Sequence, residues 1–128
     1  MKNFLIDTHI LIWFLTDHPN LSPRTKKLIE ESESCFISVA SIWEIGIKVS
    51  LGKLELQISI SKLIELVQIS GFYILPIDQF HVLKNSELIF FHRDPFDRIL
   101  ISQALVENLE IITADSEFLK YPSKTIIN

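Results

Sequence analysis

Short apolar runs alternate with longer mixed segments along the whole chain. Phe4-Leu5-Ile6, Cys35-Phe36-Ile37, Phe72-Tyr73-Ile74-Leu75, Ile111-Ile112 and Ile126-Ile127 are continuous rather than alternating in polarity. Continuous short runs predict strands buried on both faces. The predicted strands cover 2–6, 35–38, 72–75, 110–113 and 125–127. Between them, helices are predicted over 8–15, 22–32, 39–51, 61–70, 78–85 and 94–108, with a helical turn at 115–120. The boundaries have local causes. Ser22-Pro23 is an N-cap followed by a first-turn proline, and Asp78 and Asp94-Pro95 open helices in the same way. Gly52 and Gly71 are C-terminal stops, and Pro76 ends a strand. Strand–helix alternation of this kind predicts an α/β fold, a three-layer α/β/α sandwich around a mostly parallel sheet.

Composition narrows the class. The chain has 128 residues, 48% hydrophobic and 22% charged, which suits one soluble domain spanning 1–128. Asp7 and His9 interrupt the first apolar run, and Ile10 to Leu15 is too short to cross a bilayer. No membrane segment and a cytoplasmic location are therefore expected. The single cysteine, Cys35, excludes an internal disulfide and reads as a buried, inert thiol. A zinc site of the Cys/His type is disfavoured by the same count.

Four acids then stand out against this apolar background: Asp7, Glu44, Asp97 and Asp115. Asp7 and Asp115 follow predicted strands, Asp97 lies in a first helical turn, and Glu44 interrupts the apolar helix Ile42-Trp43-Glu44-Ile45. Burying a carboxylate without compensation costs several kcal/mol. Converging carboxylates are compensated by a hard divalent cation, Mg²⁺ or Mn²⁺, and such sites commonly serve phosphoryl transfer. In a parallel sheet the place for such a site is the carboxyl edge, near a switch point. Plainer roles exist for each acid. Asp7 and Asp115 suit helix caps, Asp97 suits the helix dipole, and Glu44 suits a surface pair with Lys48. The formal net charge of −4, from 16 acids against 12 Lys and Arg, argues weakly against a non-specific nucleic-acid binder. The four acids alone account for that excess, so a bound dication changes its meaning.

Four blocks carry a family resemblance: Leu5-Ile6-Asp7-Thr8-His9 with Trp13; Ser41-Ile42-Trp43-Glu44-Ile45 through Lys48 and Gly52-Lys53-Leu54; His92-Arg93-Asp94-Pro95-Phe96-Asp97-Arg98 with Ser102-Gln103-Ala104; and Thr113-Ala114-Asp115. Together, in this order, they resemble the PIN-domain family and, more narrowly, the VapC-type toxins of bacterial type II toxin–antitoxin pairs. The resemblance implies a Mg²⁺- or Mn²⁺-dependent endoribonuclease that hydrolyses RNA phosphodiester bonds. It implies Asp7, Glu44, Asp97 and Asp115 as the acidic site and Thr113 as a supporting hydroxyl. Asp94 is a helix cap first and a metal neighbour second. The resemblance also implies a homodimer and a cognate antitoxin.

The remaining polar residues are open. Arg93, Arg98, Lys48 and Lys53 suit substrate phosphates, surface charge or an antitoxin acid; Arg98 and Lys48 are placed beside the site, Lys53 in solvent. His9 and His92 are read as outer or exposed groups rather than general acid or base. Trp13, Trp43, Phe90 and Phe91 are read as core or interface rings ahead of base-stacking platforms. Two other functions compete: an aspartate-phosphorylating or receiver-like domain with Asp7 as nucleophile, and a non-catalytic binding module on the same fold.

Overall fold

The computed structural model describes residues 2–91 and 94–128. In chain order the elements are β1 Asn3–Ile6, α1 Thr8–Leu15, α2 Pro23–Glu30, β2 Ser34–Ser38, α3 Val39–Ser50, α4 Ile60–Ile69, β3 Tyr73–Leu75, α5 Gln79–Glu87, α6 Pro95–Glu107, β4 Glu110–Thr113, a 3₁₀ turn Ser116–Lys120 and β5 Thr125–Ile127. All five strands are parallel, in the order β3-β2-β1-β4-β5. The predicted α/β/α sandwich is the fold observed.

The apolar runs fill both faces of the sheet, as continuous rather than alternating patterning requires. On β1, Phe4 and Ile6 enter a core with Ile10, Leu11, Ile37, Ile45, Leu63 and Val67. Leu5 points the other way, into a second core with Leu100, Ile101, Ala104, Ile111 and Phe118. Helices α1, α3 and α4 thus cover one face and α6 the other. Cys35 is buried in the first core, and burial pushes its thiol up to about 12, so it is inert at neutral pH.

Caps set most boundaries. Asp7, Ser22, Ser38, Ser59, Asp78 and Asp94 each accept a backbone N–H at a helix start. Helix α4 starts one residue earlier than predicted because Ser59, rather than a later serine, is the cap. Helix α6 ends where Asn108 adopts the left-handed conformation, φ 55°, a role in which Asn is tolerated.

The site position follows from the strand order. From β1 the chain winds outward through β2 and β3 on one side, then returns to β4 and β5 on the other. The switch point therefore lies between β1 and β4, and side chains leaving their carboxyl ends converge there.

Candidate active site

Asp7 is the first residue beyond β1. Its backbone N–H donates to the Ile112 carbonyl on β4 at 3.1 Å, which holds the start of α1 against the neighbouring strand. Its carboxylate does two things. Oδ1 accepts the Ile10 N–H at 2.9 Å and caps α1. Oδ2 accepts a very short hydrogen bond from the Thr113 hydroxyl at the end of β4. Thr113 Oγ1 in turn accepts the Asp115 N–H at 3.0 Å. One hydroxyl therefore links the first and last acids across the β1–β4 seam.

Asp115 caps the 3₁₀ turn through Oδ1, which accepts the Glu117 N–H at 2.9 Å. Asp94 caps α6, accepting N–H groups from Phe96 and Asp97 at 2.9 and 3.4 Å. Three acids are thus caps, as their plainer readings predict. The cap geometry also aims them. Asp7, Asp94, Asp97 and Asp115 line one open cleft of about 390 Å³, together with His9, Trp13, Ala114 and Phe118. An ionised carboxylate offers about four lone-pair sites on its two oxygens, so accepting a cap bond and ligating an ion are compatible.

Glu44 stands apart from the cleft lining. It is buried on α3, where Oε1 accepts the Thr8 hydroxyl at 2.7 Å and Oε2 pairs with Lys48 at 2.9 Å. Thr8 also donates toward Ser41 Oγ at 3.0 Å. Lys48 thus makes the (i, i+4) pair, but with a buried partner. Asp7 feels Glu44 as a like charge. Burial, the largest effect, raises the Asp7 pKa, and Glu44 raises it further; the Thr113 and Ile10 hydrogen bonds and His9 oppose this. Asp7 is therefore a carboxylate whose ionised form is incompletely compensated by the protein.

Arg98 departs from its expected place beside the site. It is buried, and its guanidinium donates to the carbonyls of Asn85, Leu88 and Ile89 and to the Tyr121 hydroxyl, at 3.2 to 3.4 Å. The ring of Phe90 lies 4.7 Å from Cζ. Its donors hold the 85–91 segment, so holding a substrate phosphate is not its geometry. Lys53 is exposed, as expected. His92 and Arg93 lie outside the described residues.

The cleft residues fit a divalent cation. Carboxylates are the hard oxygen donors that Mg²⁺ and Mn²⁺ prefer, and a cation there would favour the ionised form of Asp7, whose pKa burial raises. Among the described residues, three ligand groups come within 4.8 Å of one another only at Asp78, His81 and Glu107. The cleft carboxylates are spread wider than that. The tighter triad is the poorer metal site. His81 Nδ1 accepts the Asp78 N–H at 3.0 Å and Nε2 meets Glu107 at 2.8 Å, so both ring nitrogens are committed to joining α5 to α6. Sequence reasoning missed this buried His81 link and the Thr8–Glu44 bond. Thr8 adjoins Asp7 in sequence and could have been tested as its partner; nothing local couples positions 81 and 107.

A family model described as PIN domain matches residues 4–124. A search of curated proteins finds no significant match. Solved structures share the fold. VapBC2 from Rickettsia felis, bound to a DNA fragment of its promoter, superposes with a TM-score of 0.71 at 17% identity, covering 98% of each chain. FitAcB from Neisseria gonorrhoeae gives 0.70 at 19%, covering 98% of this chain and 96% of that one. A toxin–antitoxin complex from Klebsiella pneumoniae gives 0.65 at 21%, covering 95% and 94%.

Proposed function

The chain belongs to the PIN-domain family, and from that premise we propose that it is a metal-dependent endoribonuclease, the toxin of a toxin–antitoxin pair. The observation that carries the reading is the convergence of Asp7, Asp94, Asp97 and Asp115 on one cleft at the β1–β4 switch point. Asp7, Asp97 and Asp115 are the residues to hold Mg²⁺ or Mn²⁺, with Asp94 beside them and Glu44 as a charge behind Asp7. When bound, the ion supplies Lewis acidity at the scissile phosphodiester and lowers the pKa of water.

The chain's own residues supply position. Thr113 fixes Asp7 and the backbone of Asp115 as one unit. Thr8 and Lys48 hold both oxygens of Glu44. Asp94 orients the first turn of α6 and thereby Asp97.

Support for the partners is of two kinds. The similar structures include complexes described as toxin–antitoxin or VapBC. In addition, Trp43, Phe90 and Phe91 are exposed, and such surface suits a homodimer or an antitoxin. No helix among the described residues is long and apolar enough to cross a membrane. The receiver-like alternative loses support, because receiver sheets are ordered 2-1-3-4-5, whereas this one runs 3-2-1-4-5.

The test is cleavage of RNA with Mg²⁺, Mn²⁺ or EDTA. Cleavage that needs the ion and is lost in Asp97→Asn supports the proposal. A correctly folded protein that cleaves nothing with either ion leaves the non-catalytic module as the better reading.

A further inference from the structure

An acid-lined cleft repels the phosphates of its substrate, so part of the affinity for a strand must come from uncharged contacts. The cleft has such a surface. Trp13 and His9 line it together with the four aspartates. Trp13 sits one turn after His9 on α1, with ring centroids 6.1 Å apart and planes tilted by 48°. Beyond the end of α1, Asp17 takes a left-handed conformation, φ 51°, and turns the chain back. His18 then stacks on the indole at 5.8 Å and 23°. His18 is itself held: its N–H donates to the Trp13 carbonyl at 2.9 Å, and its Nδ1 accepts the Asn20 N–H at 3.0 Å.

The indole thus packs on the core with part of its surface and has an imidazole at each end of the helix. Core packing accounts for the buried part. It does not account for a braced, half-buried ring that also lines the cleft.

We propose that Trp13 is a stacking platform for an unpaired nucleobase next to the scissile phosphate, with His18 bracing the indole and His9 as the second wall. The ligand of this subsite is then a base free of its own stack, because bases within an A-form helix are stacked on each other and unavailable to a side chain. The proposal rests on the ribonuclease reading for its choice of ligand.

The experiment uses Trp43→Phe, which leaves Trp13 as the sole tryptophan. Trp13 fluorescence is followed as three probes are added with Ca²⁺ in place of Mg²⁺: single-stranded oligoadenylate, an abasic ribose-phosphate oligomer of equal charge, and an RNA duplex. Quenching by oligoadenylate alone is expected. Trp13→Ala should weaken oligoadenylate binding about 5- to 100-fold, and Trp13→Phe should restore most of it. Equal binding of the abasic oligomer, or none of the three, overturns the proposal, and the probe comparison needs no cleft variant to fold. Cleavage by the unsubstituted protein in Mg²⁺ is scored separately. Base-dependent binding without cleavage defeats the nuclease reading alone, and cleavage with base-independent binding defeats the platform alone.

Discussion

Thr8 donates a buried hydrogen bond of 2.7 Å to Glu44, joining the first turn of α1 to the middle of α3. Thr8 is adjacent to Asp7, so the bond fixes where Glu44 stands relative to the acid at the end of β1. A hydroxyl removed here leaves a buried carboxylate short of a donor. Thr8→Val, nearly isosteric, should cost about 1–3 kcal/mol in denaturant unfolding. It should also weaken Mn²⁺ binding and cleavage about 10- to 100-fold, as loss of an outer partner of a metal site commonly does. Thr8→Ser should recover both. Unchanged metal affinity in a folded Thr8→Val protein argues that Glu44 is not coupled to the site.

Asp7 makes stability depend on pH in an unusual sense for a carboxylate. Burial raises its folded-state pKa above the unfolded value, so the native protein holds this proton more tightly than the unfolded chain. Its contribution is fully present below the ordinary carboxylate pKa and is lost as pH rises through the raised folded value. Asp7→Asn retains an oxygen for the α1 cap and removes that loss. The metal-free variant should melt above the parent at neutral pH, with the difference shrinking in acid. Thermal melts across pH in EDTA check this; a variant less stable than the parent at neutral pH contradicts it.

Arg98 is expected to matter for folding rather than for phosphate. Arg98→Ala removes one donor from each of three carbonyls and a tyrosine hydroxyl and should cost about 3 kcal/mol. Arg98→Lys should recover little, because one ammonium cannot reproduce the planar fork. If Arg98→Ala instead unfolds like the parent but raises KM for RNA, the side chain serves substrate.

Asp7, Asp115 and Glu44 were legible in the sequence because they follow or interrupt apolar segments, where desolvation makes a carboxylate costly without a reason, and Asp97 because it sits in the first turn of a helix opened by Asp94-Pro95. The strand–helix order was legible because buried parallel strands are written as continuous apolar runs. Arg98 misled because it directly follows Asp97, which lies in the cleft; one residue step turns a helix by about 100°, and its guanidinium reaches the 85–91 segment instead. The His81–Glu107 link was illegible because it joins positions that only the α5–α6 packing brings together. In the sequence Trp13 reads as a core or interface ring, and it is core in part; that it also lines the cleft depends on how α1 leaves β1, which no local pattern encodes.

The triad of Asp78, His81 and Glu107 should remain a structural link. His81→Gln should lower stability without altering the stoichiometry of Mn²⁺ bound per chain in calorimetric titration. Loss of one bound ion in that variant shows that the triad, and not the cleft, holds metal.

The aspartates of the β1–β4 cleft are proposed to hold a divalent ion that RNA cleavage requires. The most direct measurement is a paired titration of the parent and Asp97→Asn with Mn²⁺, read as melting temperature and as cleavage of a single-stranded RNA. The parent should be stabilised as the ion binds, by about 2.7 kcal/mol at a hundredfold excess over Kd, and should cleave over the same concentration range. Asp97→Asn should fold, lose most of the stabilisation and cleave at background. Parent-like cleavage by a folded Asp97→Asn protein, or cleavage by the parent undiminished in EDTA, would show that the cleft aspartates do not work through a metal ion.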